Sequence, residues 1–311
     1  MDKRSKIFIA DVQKNIGSSI EKNLRSNGYS EIMTNISSEL ELTDQRSVND
    51  FFNLEKPQFV FLAAGKSGGI QANIKYPADF IYDNLQIEIN VIQAAYKSGV
   101  EKLLFLGSSC VYPKNTRQPI KEEYFLTGEL EKTSEPYAVA KIAGMVMCQA
   151  YFKQFGRKFI VGVPATPYGQ GDSFDPEHSH VLTALIRKFH EAKINNEKEI
   201  VLWGSGKPIR EFIFIDDLAE ACIFLMNNYD SSDIINVGSG SEIPIKKLAE
   251  LIRSVIGFEG SVVFDDTKPD GAPKKVLDIT EIKNIGWRPK VDLEKGIKLT
   301  YEEFLKKEDQ T

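Results

Sequence analysis

Lys102-Leu-Leu-Phe-Leu106 runs straight into Gly107-Ser-Ser-Cys-Val-Tyr-Pro113, and Tyr137-Ala-Val-Ala-Lys141 follows one connection later. The first run is short, apolar and closed by glycine, the pattern of a buried strand. Ser108 and Cys110 therefore fall just past the C-terminal end of a strand, where open α/β sheets bind ligands. Tyr137 and Lys141 stand four apart at the start of a helical pattern that reaches Phe155, so they share one helix face. A hydroxyl, a phenol and an ammonium gathered there make a proton-transfer group. The lysine charge is expected to favour the phenolate and lower the tyrosine pKa, as a general acid/base near neutrality requires.

Working outward, residues 6–10 read as a short strand and 16–24 as a helix, the strand–turn–helix opening of a dinucleotide-binding unit. Strands are expected at 31–34 and 57–64, with a helix at 44–52 capped by Asp44. Gly65-Lys-Ser-Gly-Gly-Ile70 is a loop whose glycine spacing does not make a P-loop. The helix at 79–98 shows one apolar face, Ile81, Leu85, Ile89 and Ile92. The charged stretch 114–135 reads as a surface loop over the site. Further strands are expected at 158–164, 200–203, 211–215, 234–238 and 261–264. Helices fall at 181–193, at 216–227 with Asp216 and Asp217 as caps, and at 244–255 and 293–304. Strand and helix alternate up to residue 165 and then mix. This predicts an α/β fold: a doubly wound parallel sheet with a smaller mixed α/β C-terminal lobe. Residues 1–165, with 211–240 returning to them, would be the dinucleotide-binding domain; 166–210 and 241–311 would form the substrate-binding lobe.

The 311 residues are 42% apolar and 27% charged, ordinary for a soluble globular protein. A net charge of −5 gives no footprint for nucleic acid. No apolar run approaches a membrane span and the N-terminus has no signal-peptide pattern, so the expected location is cytoplasmic, with no membrane or nucleic-acid partner. Cys110, Cys148 and Cys222 are too widely spaced for a disulfide framework or a zinc site, and the His178-x-His180 pair lacks a third ligand. No metal is expected.

Longer motifs carry a resemblance. They are Leu104-Phe-Leu-Gly-Ser-Ser-Cys-Val-Tyr-Pro113, Glu135-Pro-Tyr-Ala-Val-Ala-Lys-Ile-Ala-Gly144, Ser179-His-Val181, Trp203-Gly-Ser-Gly206 and Lys268-Pro-Asp-Gly271. Together they resemble the extended short-chain dehydrogenases/reductases of the NAD-dependent epimerase/dehydratase family, and within it the GDP-L-fucose synthases, which are 4-keto-6-deoxy-mannose epimerase/reductases. The resemblance implies a Rossmann-like fold, NADP or NAD as cofactor, a nucleotide-sugar substrate and a homodimer. It implies Ser108, Tyr137 and Lys141 for reduction at C4, and Cys110 with His180 as the epimerisation pair. Asp11, Lys14, Ile16, Gly17, Leu62, Ala63, Ala64, Asn84, Tyr137, Lys141 and Pro164 would meet the cofactor. Ser108, Ser109, Cys110, Thr166, His180, Lys188, Trp203, Arg210 and Lys275 would meet the substrate.

The chain departs from that pattern in three places. The family's first-turn glycines stand here as Asp11, Lys14 and Gly17, so two of three are replaced. A serviceable altered turn and a lost or weakened dinucleotide site both remain open, because glycine lets backbone approach the pyrophosphate whereas a carboxylate repels it. Asn35 and Ser37 stand where NADP-using members carry arginine, and no acidic ribose anchor is evident nearer than Glu39. Pro164-Ala-Thr-Pro-Tyr-Gly169 replaces the family's Pro-Thr-Asn-x-Tyr-Gly. Three functions stay in view: an epimerase/reductase, a 3- and/or 5-epimerase without net reduction, and a cofactor-poor sugar-nucleotide-binding or partner protein.

Overall fold

The computed structural model describes residues 1–11, 15–35, 40–175, 179–268 and 270–308. In chain order the first half gives β1 (Ile7–Ala10), α1 (Ile16–Ser26), β2 (Ile32–Thr34), α2 (Gln45–Glu55), β3 (Phe59–Leu62), α3 (Ile70–Lys75), α4 (Pro77–Ser98), β4 (Lys102–Leu106), α5 (Glu135–Phe155) and β5 (Lys158–Pro164). The second half gives β6 (Thr166–Tyr168), α6 (Val181–Ile194), β7 (Glu199–Trp203), β8 (Ile209–Phe214), α7 (Ile215–Asn228), β9 (Ile234–Val237), β10 (Glu242–Pro244), α8 (Ile245–Ile256), β11 (Ser261–Asp265), β12 (Lys274–Lys275), α9 (Thr280–Asn284) and α10 (Leu293–Glu308).

Six strands form one parallel sheet in the order β2-β1-β3-β4-β5-β9. The four residues of β1, the four of β3 and the five of β4 are all buried, as expected for strands covered by helices on both faces. This is the expected doubly wound sheet. The second lobe holds a four-stranded sheet in which β8 pairs with β10, β12 and β6, and a two-stranded β7–β11 pair. The strand at 211–215 was expected to return to the first sheet. Instead β8 centres the second sheet; of that segment α7 and β9 return to the first, whose core also takes in Ile282 of α9. The side chains of β8 alternate between two cores: Ile213 packs under the large sheet, where Ile215 at the start of α7 joins it, and Phe212 and Phe214 pack into the smaller lobe.

Three local expectations are corrected. The buried stripe of α4 is Phe80, Asn84, Ile87, Glu88, Val91, Ile92 and Ala95; of the expected face Ile92 lies in it, Ile81 and Leu85 are half-buried, and Ile89 lies 43% exposed. The two polar members of that stripe disguised it. Asp216 and Asp217 are not caps but first-turn residues of α7, which has no side-chain cap. Asp216 accepts from the Ser19 hydroxyl at 2.6 Å, and Asp217 accepts from the backbone of Lys290 and Val291. The loop after β3 ends in the short helix α3, which was not foreseen. Asp44 does cap α2, accepting from Arg46 and Ser47. The 114–135 connection is tied down rather than loose: Ile120 bridges Leu277, and its carbonyl accepts from the buried Asn236.

Candidate active site

Ser108 leaves β4 in extended conformation and opens a short turn, Ser109–Val111. Its hydroxyl accepts from the Cys110 amide at 3.3 Å and is hydrogen-bonded to the Tyr137 phenol from the start of α5. The Cys110 thiol accepts from Lys275 Nζ at 3.5 Å. Lys275 lies opposite Arg210 in the β12–β8 pair, so both cations come from neighbouring strands of the second lobe. Ser109 is buried in the turn beneath them. Burial pushes the Cys110 thiol up, but the Lys275 charge, with hydrogen bonds from Ser108, Lys275 and Ser134, outweighs it and leaves the thiol below its ordinary range. Ser134 carries no motif signal that could have marked it in advance.

Lys141 is placed as expected, one turn beyond Tyr137, but its charge is engaged elsewhere. Its ammonium lies 3.2 Å from Glu88 Oε1, 3.5 Å from the Ala64 carbonyl and 4.8 Å from the Phe105 ring centre. Both partners of this ion pair are almost wholly buried. Gly144 makes room for it: a Cβ there would stand 2.6 Å from Glu88 Oε2. Burial drives the Glu88 carboxyl up to about 7 against the pull of Lys141. The expected lowering of the Tyr137 pKa is therefore overturned. Burial first, then the charges of Cys110 and Glu88, hold the phenol well above its ordinary range, opposed by the Ser108 hydrogen bond. Tyr137 therefore keeps its proton at neutral pH. Glu88 escaped sequence reasoning because a glutamate inside a helix reads as a solvated face.

His180 precedes α6, and its carbonyl accepts from Thr183 and Ala184. It lines a cleft of about 360 Å³ together with Asn15, Lys66, Phe80 and Asp172. The Phe80 ring meets the Tyr137 ring edge-on, with centres 6.2 Å apart, so the cleft abuts the proton-transfer group. A more open hollow of about 570 Å³ beside Arg253 and Phe258 holds none of the expected residues. Thr166 starts β6 opposite Phe212 of β8. Lys188 and Trp203 form a separate group at the rim: Lys188 donates to the Val201 carbonyl at 2.5 Å, and Trp203 is 64% exposed under the Lys268 ammonium. Asp270 binds the amide and hydroxyl of Ser205, which joins the Trp203–Gly206 turn to the loop before β12. His190 is structural, bonded to the Tyr301 hydroxyl at 2.9 Å. Among the described residues no His, Cys, Asp or Glu group could hold a metal, and no helix is long and apolar enough to cross a membrane.

The nicotinamide end of a dinucleotide site fits. A Cβ at Gly65 would stand 2.6 Å from Asn84 Oδ1 and 3.2 Å from Lys141 Nζ, so bare backbone reaches the buried lysine. Leu62 and Ala64 are buried, Ala63 is half-buried, and Pro164 closes β5. Asn84 is fully buried and clamps the loop through the backbone of Phe80 and Lys66. At the first turn the chain's own side chains take two amides of α1. The Asp11 carboxylate accepts from the Gly17 amide at 2.6 Å, and Asn15 accepts from the Ile16 amide at 2.6 Å. First-turn amides of a helix are the donors that a phosphate meets at such a turn. A Cβ at Gly17 would collide with Asp11 at 2.5 Å, so the remaining glycine accommodates the aspartate. Asn35 accepts from the Asp11 amide at 2.9 Å. Lys14, Ser37, Glu39 and His178 lie outside the described residues.

A parallel sheet with Ser just past the end of β4, and Tyr and Lys four apart at the start of the helix α5 that follows, defines a short-chain dehydrogenase/reductase. The chain belongs to the NAD dependent epimerase/dehydratase family, whose model matches residues 15–238. It is 52% identical over 305 residues to GDP-L-fucose synthase 1 of Arabidopsis thaliana, spanning 98% of this chain and 94% of that protein. Among solved structures it resembles a GDP-6-OMe-4-keto-L-xylo-heptose reductase from C. jejuni, with TM-score 0.94 and 36% identity over 99% of both chains. It also resembles the GDP-mannoheptose C4 reductase from Campylobacter jejuni with NADP bound, with TM-score 0.89 and 37% identity over 98% of this chain and 99% of that one.

Proposed function

We propose that this chain is a GDP-sugar epimerase/reductase of the GDP-L-fucose synthase type, acting on a GDP-4-keto-6-deoxy-hexose. The observation that carries this reading is the Cys110 thiol held by Lys275 beside the Ser108–Tyr137 pair. A purely reductive site needs the pair; a thiolate base beside it adds proton abstraction next to the ketone. The ketone acidifies the hydrogens on its two neighbouring carbons. The Cys110 thiolate takes one such proton, leaving an enolate and a thiol. The His180 imidazolium gives its proton to the opposite face, and exchange with solvent restores both groups. Ser108 hydrogen-bonds the C4 oxygen, and Tyr137 protonates it during reduction. Bound NAD(P)H supplies the hydride.

Lys141 and the 63–65 backbone serve the nicotinamide ribose. The dinucleotide belongs to the six-stranded lobe and the sugar nucleotide to the lobe built on β8, with Arg210, Lys188 and Trp203 toward the nucleotide. The Asp11 carboxylate weakens pyrophosphate binding, and Asn35 offers the 2′-phosphate no charge. Epimerisation without net reduction is the second reading that Asp11 favours. The test is GDP-4-keto-6-deoxy-mannose with NADPH in deuterated buffer. One equivalent of NADPH consumed, with deuterium at both carbons flanking C4, is expected. Deuterium without NADPH loss selects the second reading; neither change overturns both.

A homodimer fits the exposed Tyr82 and Ile89 of α4 and Val139 and Val146 of α5, helices that pack side by side. Sedimentation is expected to give the dimer mass, and Ile89→Glu with Val146→Glu the monomer mass.

A further inference from the structure

The resemblance set Lys275 against the nucleotide-sugar, but its ammonium is on the thiol. We infer that Lys275 is a positioning residue for epimerisation: it keeps Cys110 as the thiolate that takes the proton beside the ketone. This rests on the reading of Cys110 as the base. Three observations carry it. Lys275 Nζ donates to Cys110 Sγ at 3.5 Å. The backbone on both sides of Lys275 is bracketed by one side chain, because Gln118 donates to the Lys274 carbonyl at 3.1 Å and accepts from the Val276 amide at 3.0 Å. The pairing of Lys275 with Arg210 fixes the register of that short strand.

The groups around the thiol all favour the anion. Lys275 faces it from β12 and Arg210 from β8; the Ser108 and Ser134 hydroxyls bond it; Tyr137, on α5, is a neutral phenol. Asp270 balances Arg210 rather than the sulfur. Burial alone would leave a thiol in such a place inert, and the nearest ammonium reverses that.

The test uses the full-length chain and iodoacetamide. Cys148 and Cys222 are fully buried, so alkylation reads Cys110. In Lys275→Met the pH midpoint of Cys110 alkylation is expected to rise by about one unit or more, the usual effect of removing an opposite charge within contact range. Lys275→Arg is expected to restore at least half of that rise. Solvent deuterium exchange into the 4-keto sugar nucleotide is expected to lose about tenfold or more in kcat in the Met variant, with KM held within about threefold. An unchanged midpoint in the folded Met variant overturns the inference. So does a raised KM with kcat retained, which returns Lys275 to the substrate. Lys275→Gln is read the same way should the Met variant fail to fold. Alkylation needs neither substrate nor dinucleotide, so it stands whatever becomes of the proposed reaction.

Discussion

Replacing Asp11 with glycine is expected to tighten NADPH binding about tenfold to a hundredfold. Two effects act in the same direction. The Gly17 amide, now held by the Asp11 carboxylate at 2.6 Å, becomes free to meet a phosphate oxygen. The carboxylate itself is removed, and a like charge about 4 Å away costs roughly 1 kcal/mol in bulk water and about 4 near a protein surface. Taking about 1.4–3 kcal/mol from within that range gives the expected factor, with tenfold in affinity for each 1.4. Asp11→Asn keeps the shape without the charge and is expected to fall between the parent and the glycine variant. The glycine variant should also lose some stability, about 1 kcal/mol, because α1 loses one of its two side-chain partners at that end. Titration calorimetry with NADPH measures the affinities. A glycine variant that binds no more tightly than the parent would mean that the pyrophosphate does not compete with this carboxylate.

The second large effect separates the two halves of the chemistry. Cys110→Ser is expected to slow deuterium incorporation beside C4 by about a hundredfold to ten-thousandfold, the usual worth of a positioned general base. A hydroxyl does not ionise under Lys275 as a thiol does. Tyr137→Phe is expected to do the converse, slowing C4 reduction by a similar factor while exchange persists. The phenol holds its proton through burial and the charges of Cys110 and Glu88, so its removal takes away the acid and not the base. Mass spectrometry of the product alongside NADPH absorbance follows both reactions. Equal loss of both in either variant would show that the two residues act as one unit and not in separate steps.

Much of this was legible from the residues because the relevant signals are local. Buried runs such as Phe59–Leu62 and Lys102–Leu106 can be little but strands of a covered parallel sheet. Four-residue spacing put Tyr137 and Lys141 on one face. What escaped depends on distant partners. Glu88 and Asn84 are polar residues on the buried side of α4, so the apolar count selected a stripe that meets the buried side only at Ile92. Strands β6, β10 and β12 are two or three residues long, too short for alternation to show. Lys275 reaches Cys110 across 165 positions of sequence, through a strand pair that no periodicity announces. The substitution of glycine by Asp11 was visible, but its carboxylate's turn inward onto the Gly17 amide was not.

Strand β8 carries one last implication. Alternate residues of a single strand face two separate interiors, so swinging the halves of the molecule apart would strip Phe212 and Phe214, or Ile213, of cover. The segments beside them are pinned as well, the Lys66 loop by the Asp83 carboxylate and the Trp203–Gly206 turn by the Ser205–Asp270 hydrogen bonds. Such a frame suits a reaction in which four groups from three different segments must reach one small ring without rearranging around it.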